Sequence, residues 1–186
     1  MGDYHDIESD FVERTLHLID QYHEVLDRYP FEEQFNHTLT INCLLGLIAM
    51  PQERVISYVP TDRLTREYQA EIGSPSLEVG ANVVTLRDLI KALRNAVAHF
   101  DITVTSVDDR NLLDWLGVLD SENGGVLVAK FRGSELLSFL RYYANCLLEN
   151  MEKYRRYYPH NRWVKRRYYA TLRPGRLPKL LYVKET

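Results

Sequence analysis

Apolar residues recur at three- and four-residue steps from Ile7 through Phe11, Leu18, Tyr22, Val25, Leu26 and Tyr29, the stripe of one long helix that Pro30 stops. Phe31, Phe35, Thr38, Asn42 and Leu45 carry the same period into a second helix. Leu44, Leu47 and Ile48 make that helix apolar nearly all round, which places it centrally. Asn42 falls on its stripe and reads as a satisfied core amide, with a supporting role behind a site as the alternative. Pro51 kinks or restarts the helix before residues 55–59, a short helix follows over Asp62–Ile72 with Thr61 or Asp62 as cap, and GSPSLEVGA marks a surface loop.

Thr85 reads as the N-cap of a third substantial helix, with Asp88 three positions on, where a capping box puts its acceptor. At about 100° per residue, Leu86, Leu89, Ile90, Leu93, Ala96, Val97 and Phe100 share one face. Asn95 and His99 lie opposite, one turn apart, with Arg94 on the flank. After His99 the period changes. Residues 102–107 alternate, and residues 125–131 are β-rich behind the turn-like SENGG, so two strands are predicted, with residues 112–119 between them as a short helix carrying Trp115. Ser134 caps a last long helix through Leu136, Leu140, Tyr143, Leu147, Met151 and Tyr154, ending near Pro159. The fold class is therefore all-α in the main: an antiparallel four-helix bundle over residues 1–158, a small two-stranded β excursion between its third and fourth helices, and a basic C-terminal extension over residues 159–186.

Composition adds a division of charge. The net −3 conceals a segment from Lys153 onward with eleven basic residues against Glu185 alone, so residues 1–152 carry −13 and the remainder +10. The basic segment interleaves cations with aromatics, as single-stranded nucleic-acid contact requires, and Arg155, Arg156, Arg162, Trp163, Lys165, Arg166 and Arg167 are its candidate RNA contacts. Packing of the same residues on the acidic bundle is the alternative. The acidic N-terminal run MGDYHDIESD does not resemble a secretory signal and no stretch is long and apolar enough for a membrane span, so a cytoplasmic location is expected. Cys43 and Cys146 read as reduced core residues. His5, His17, His23 and His37 lack the paired spacing and third ligand of a metal site, and no phosphate-cradling Gly-rich motif occurs. Neither metal nor cofactor is expected.

The chemistry concentrates in Arg94-Asn95-Ala96-Val97-Ala98-His99. An imidazole can take a proton from a ribose 2′-hydroxyl or give one to a leaving 5′-oxygen, a guanidinium can hold the phosphate, and an amide can orient either. The internal 2′-hydroxyl is the nearest nucleophile, so the product is a 2′,3′-cyclic phosphate. Ala92, Ala96 and Ala98 are small enough to let another helix approach, and a symmetric dimer would gather two Arg and two His in one cleft. A solvated helix end, with His99 complementing the carbonyl dipole, is the plainer alternative. Spacing alone decides little, since Arg155 and His160 stand equally far apart where Pro159 interrupts any helix.

This run, at the end of a capped third helix and before a small extended excursion, resembles the HEPN superfamily (higher eukaryotes and prokaryotes nucleotide-binding), particularly its prokaryotic plasmid- and defence-associated branches. The resemblance covers about residues 3–158. It implies a dimeric, metal-independent endoribonuclease with Arg94, Asn95 and His99 at the dimer interface, acting on RNA as a toxin or antiviral effector and possessing an antitoxin or other regulatory partner. Some members of the superfamily are non-catalytic binding or dimerisation modules, which is the second reading.

Overall fold

The computed structural model describes residues 4–51, 53–107, 113–121 and 124–157. Helix α1 (Ile7–Val25) starts on Asp6, whose carboxylate accepts the Glu8 N–H, and a 3-10 turn at Leu26–Arg28 ends it before Pro30. Its buried stripe is Ser9, Val12, Thr15 and Ile19. The sequence-derived stripe is thus rotated: Ile7 and Leu18 lie on the open side, Leu18 being 50% exposed. Helix α2 (Asn36–Ala49) buries Thr40, Cys43, Leu44, Leu47 and Ile48. Asn42 is exposed, which overturns the core-amide reading, and Phe31 and Phe35 lie ahead of the helix in open surface.

A short turn, α3 (Glu53–Ile56), precedes α4 (Arg66–Glu71). The latter is shorter than expected and is capped by the Thr65 hydroxyl, which accepts from Tyr68 N–H, rather than by Thr61 or Asp62. The Gly/Ser/Pro-marked loop contains an edge strand, β1 (Glu78–Val79). Helix α5 (Leu86–His99) has the predicted capping box in full: Asp88 N–H donates to the Thr85 hydroxyl while the Asp88 carboxylate accepts Thr85 N–H at 2.9 Å.

The β portion is larger than the predicted two-stranded excursion. Strands β2 (Ile102–Thr105), β3 (Trp115–Asp120) and β4 (Val126–Arg132) join β1 in a four-stranded antiparallel sheet ordered β1-β4-β3-β2. The segment predicted as a helix around Trp115 is the central strand β3. Its apolar run is too short to reveal a period, and pairing on both sides decides the outcome. A register shift at Val118/Leu119 marks a bulge. Leu116, Val118, Ala129 and Phe131 turn one sheet face into the core, and on the other face the Lys130 ammonium sits 4.3 Å from the Trp115 ring centre.

Gly133–Glu135 forms a 3-10 turn, so Ser134 lies inside that turn instead of capping the last helix, α6 (Leu136–Tyr157). Phe139 of α6 meets Phe131 of β4 at a ring distance of 4.9 Å and stacks on Tyr143 at 6.3 Å, welding helix to sheet. The molecule is mainly helical, with the sheet packed against α5 and α6 as part of the same core instead of appended to a bundle. Cys43 is buried and Cys146 half-buried, both as free thiols. Two units divide the chain, Met1–Met151 and Glu152–Thr186. In the second, the described part is the last turns of α6, where Arg156 pairs with Glu152.

Candidate functional site

Helix α5 separates its duties by face. Leu86, Leu89, Ile90, Leu93 and Ala96 are buried, and Val97 is half-buried against the same core. Asn95 and His99 are exposed, as the wheel predicts. Lys91 is exposed too, so Lys91, Asn95 and His99 form one outward stripe at successive four-residue steps. Sequence reasoning missed Lys91, although its position eight residues before His99 was the available signal.

Arg94 is placed differently from these three. It is half-buried, and its Nη1 donates to the Pro51 carbonyl at 2.7 Å. Two turns earlier Arg87 donates through Nε and Nη2 to the Val59 carbonyl, at 2.9 and 2.7 Å. Two arginines seven residues apart on one flank of α5 therefore clamp both ends of the α3 segment. Behind Arg94 lies Tyr143, fully buried, whose hydroxyl has no hydrogen-bond partner among the described residues. Burial drives that phenol's pKa upward, with the Arg94 charge pulling against it.

The end of α5 is closed by a left-handed cap. Phe100 takes a left-handed conformation (φ 57°), alone among the described non-glycine residues in having a positive φ. Its N–H returns to the Ala96 and Val97 carbonyls, and Asp101 N–H donates to the Ala96 carbonyl at 2.9 Å. Phe100 is consequently turned outward and 78% exposed, a correction to its place on the predicted core face. Ala96, counted among the small residues of the open face, belongs to the core, leaving Ala98 exposed and Ala92 half-buried beside the polar stripe. The Asp101 carboxylate accepts both the hydroxyl and the N–H of Ser121. These bonds, the hydroxyl foremost, hold its pKa below the ordinary carboxylate value against the cost of desolvation, with the nearby His99 charge contributing in the same direction.

The structure thus brings Asn95 and His99 to one surface and sets Arg94 on its flank, tied to Pro51. Of the basic candidates, Arg155 and Arg156 occupy the last turn of α6, while Arg162, Trp163, Lys165, Arg166 and Arg167 lie outside the described residues. No cluster of three or more His, Cys, Asp or Glu suited to a metal occurs among the described residues, and no described helix is long and apolar enough to cross a membrane.

The described residues thus form a mainly helical domain with a four-stranded sheet, in which the capped helix α5 carries Arg-Asn-x-x-x-His at its C-terminal end. The family model HEPN pEK499 p136 matches residues 1–154, and the chain belongs to that family, a plasmid-associated one. No curated protein and no solved structure matches the chain.

Proposed function

We propose that this chain is a metal-independent endoribonuclease that cuts single-stranded or loop RNA to 2′,3′-cyclic phosphate ends, working as a homodimer in a toxin–antitoxin or antiviral setting in the cytoplasm. The observation that carries the reading is the exposed stripe of α5. A helix capped at both ends holds Asn95 and His99 outward, where no need of its own core requires them. His99 serves as general acid and base at the 2′- and 5′-oxygens, and Asn95 positions the phosphate or the imidazole. Arg94 spends one N–H on Pro51 and retains the rest of its five-donor fork for a phosphate oxygen, with Lys91 adding positive potential along the same helix. A second copy facing the stripe would complete the cleft, since Ala98 and Ala92 leave room for close approach. Arg155, Arg156 and the basic residues beyond them extend the RNA contact.

Purified protein incubated with mixed RNA in EDTA is expected to yield cyclic-phosphate termini, and His99→Ala to abolish them while keeping the wild-type melting curve. Cleavage undiminished in that variant would overturn the mechanism. The engagement of Arg94 with Pro51 favours one other reading, a non-catalytic HEPN module that binds RNA or a protein partner. Tight RNA binding without turnover from pH 5 to 9 would support it.

A further inference from the structure

We infer that the open edge of the sheet, strand β2, is a contact site for the β2 strand of a second copy of this chain, paired antiparallel about a two-fold axis at Val104. The sheet has two edge strands, and among the described residues only one of them carries a protecting device. At one side β1 is two residues long and carries Glu78, paired with Lys130 at 3.5 Å. At the other, β2 reads Ile-Thr-Val-Thr, with no charge, no proline and no bulge in its pairing with β3. Strand edges normally carry one of those devices, because a row of unpaired backbone groups recruits another strand.

The backbone bonds show which groups are on offer. Leu119 N–H donates to the Asp101 carbonyl at 2.9 Å and Asp114 N–H to the Thr105 carbonyl at 3.2 Å, so the odd-numbered residues turn their peptide groups toward β3. By the alternation of a strand, Ile102 and Val104 turn theirs to the open edge, where no described strand meets them. Side chains alternate as well. Ile102 and Val104 lie opposite Val118 and Leu116, both buried, and so belong to the core face. Ile102 packs against that core, yet Val104 is 59% exposed, an apolar core-face residue left uncovered at the rim.

A second copy fits this edge better than an arbitrary strand because β2 is complementary to itself. With the axis on Val104, its N–H and C=O exchange bonds with those of its mate, and the two valines close over each other. Thr103 of each copy falls opposite Thr105 of the other on the solvent face, a favourable cross-strand pair, and no like charges are opposed within the strand. Four residues form a small interface, so the association is concentration-dependent. The pairing places the two Asp101 residues about 20 Å apart at opposite ends, so it is separate from any cleft built on the α5 stripes.

Disulfide trapping in the full chain tests the register. Opposed Thr103 and Thr105 positions have Cα atoms about 4.5 Å apart, within disulfide range, whereas identical positions across this axis are roughly 8 Å apart and beyond it. Thr103→Cys and Thr105→Cys variants carrying tags of different mass, mixed under mild oxidant, are expected to give the mixed dimer in at least fivefold excess over either like dimer. Adding Val104→Pro should abolish the mixed dimer, since it deletes an outward N–H without touching the β3 ladder. Val104→Lys serves the same end if the proline variant fails to show the wild-type thermal transition. Absence of the mixed dimer, statistical yields of all three dimers, or a yield indifferent to substitution at Val104 would each overturn the inference. Since no step of the assay involves RNA or His99, its failure is distinguishable from failure of the ribonuclease reading.

Discussion

Replacing Arg94 by Met keeps the length and apolar volume of the side chain and removes its charged donor. In the native structure that donor meets the Pro51 carbonyl at 2.7 Å, and Pro51 is buried. Hydrogen bonds involving a charged group contribute about 1.5–3 kcal/mol, and a carbonyl left without a partner costs about as much as the bond it loses. Arg94 is only half-buried, so water recovers part of the loss and the lower end of that range applies, about 1.5–2 kcal/mol. At 2–4 °C per kcal/mol for a chain of this length, the melting temperature should fall by about 3–8 °C. The measurement is urea unfolding followed by far-UV circular dichroism, at one fixed protein concentration because self-association couples to stability. Arg94→Lys should recover part of the loss, having a cation but no fork to reach Pro51 and a ligand together. A stability for Arg94→Met within about 0.5 kcal/mol of wild type would refute the clamp. The outcome also governs how activity is read. Lost cleavage measured well below the variant's transition reports the phosphate contact, whereas lost cleavage near it reports only unfolding.

Three further outcomes follow from the same geometry. The Thr85 hydroxyl holds the Asp88 carboxyl below its ordinary value of 3.8, so the cap contributes above that pH and is lost as pH falls through the folded-state value; Asp88→Asn should flatten the loss of melting temperature between pH 5 and 3 that wild type shows. Gly133→Ala would bring a Cβ to 2.0 Å from the Leu113 carbonyl oxygen, a backbone atom, and should cost about 2–3 kcal/mol in urea unfolding, whereas at Gly46 the nearest atom is the Phe11 ring at 3.1 Å and alanine should stay within about 1 kcal/mol. Tyr143→Phe removes a buried hydroxyl without a hydrogen-bond partner among the described residues and should raise stability by about 0.5–1 kcal/mol; a loss of that size would reveal a partner for the hydroxyl.

Much of the candidate site was readable from the chain because it is local. A capping box spans three residues, a helix face repeats every three to four, and both signals lie within Thr85–His99, so the cap, the buried stripe and the outward Asn95 and His99 follow from short-range rules. Where local rules ran out, misplacements appeared. Phe100 continues the apolar period and by that period belongs on the core face, but the helix ends there in a left-handed residue that swings the ring outward. Lys91 needed only the same wheel, extended one turn back.

By itself the sequence determined the mainly helical character, the span and cap of α5 with Asn95 and His99 outward, the strands β2 and β4, and membership of the HEPN family. Only tertiary structure decided that residues 115–120 form a strand, since they pair with residues on both sides that lie elsewhere in the chain, and that two residues of a turn-rich loop become β1 by meeting β4 about fifty positions later. It likewise decided the rotation of α1 and α2, which carried Leu18 and Asn42 to the surface, because a helix with apolar residues on several sides turns whichever face its neighbours best fill. The tie of Arg94 to Pro51, forty-three residues away in sequence, belongs to the same class. No periodicity records such a contact, because it depends on how the ends of two helices meet in space.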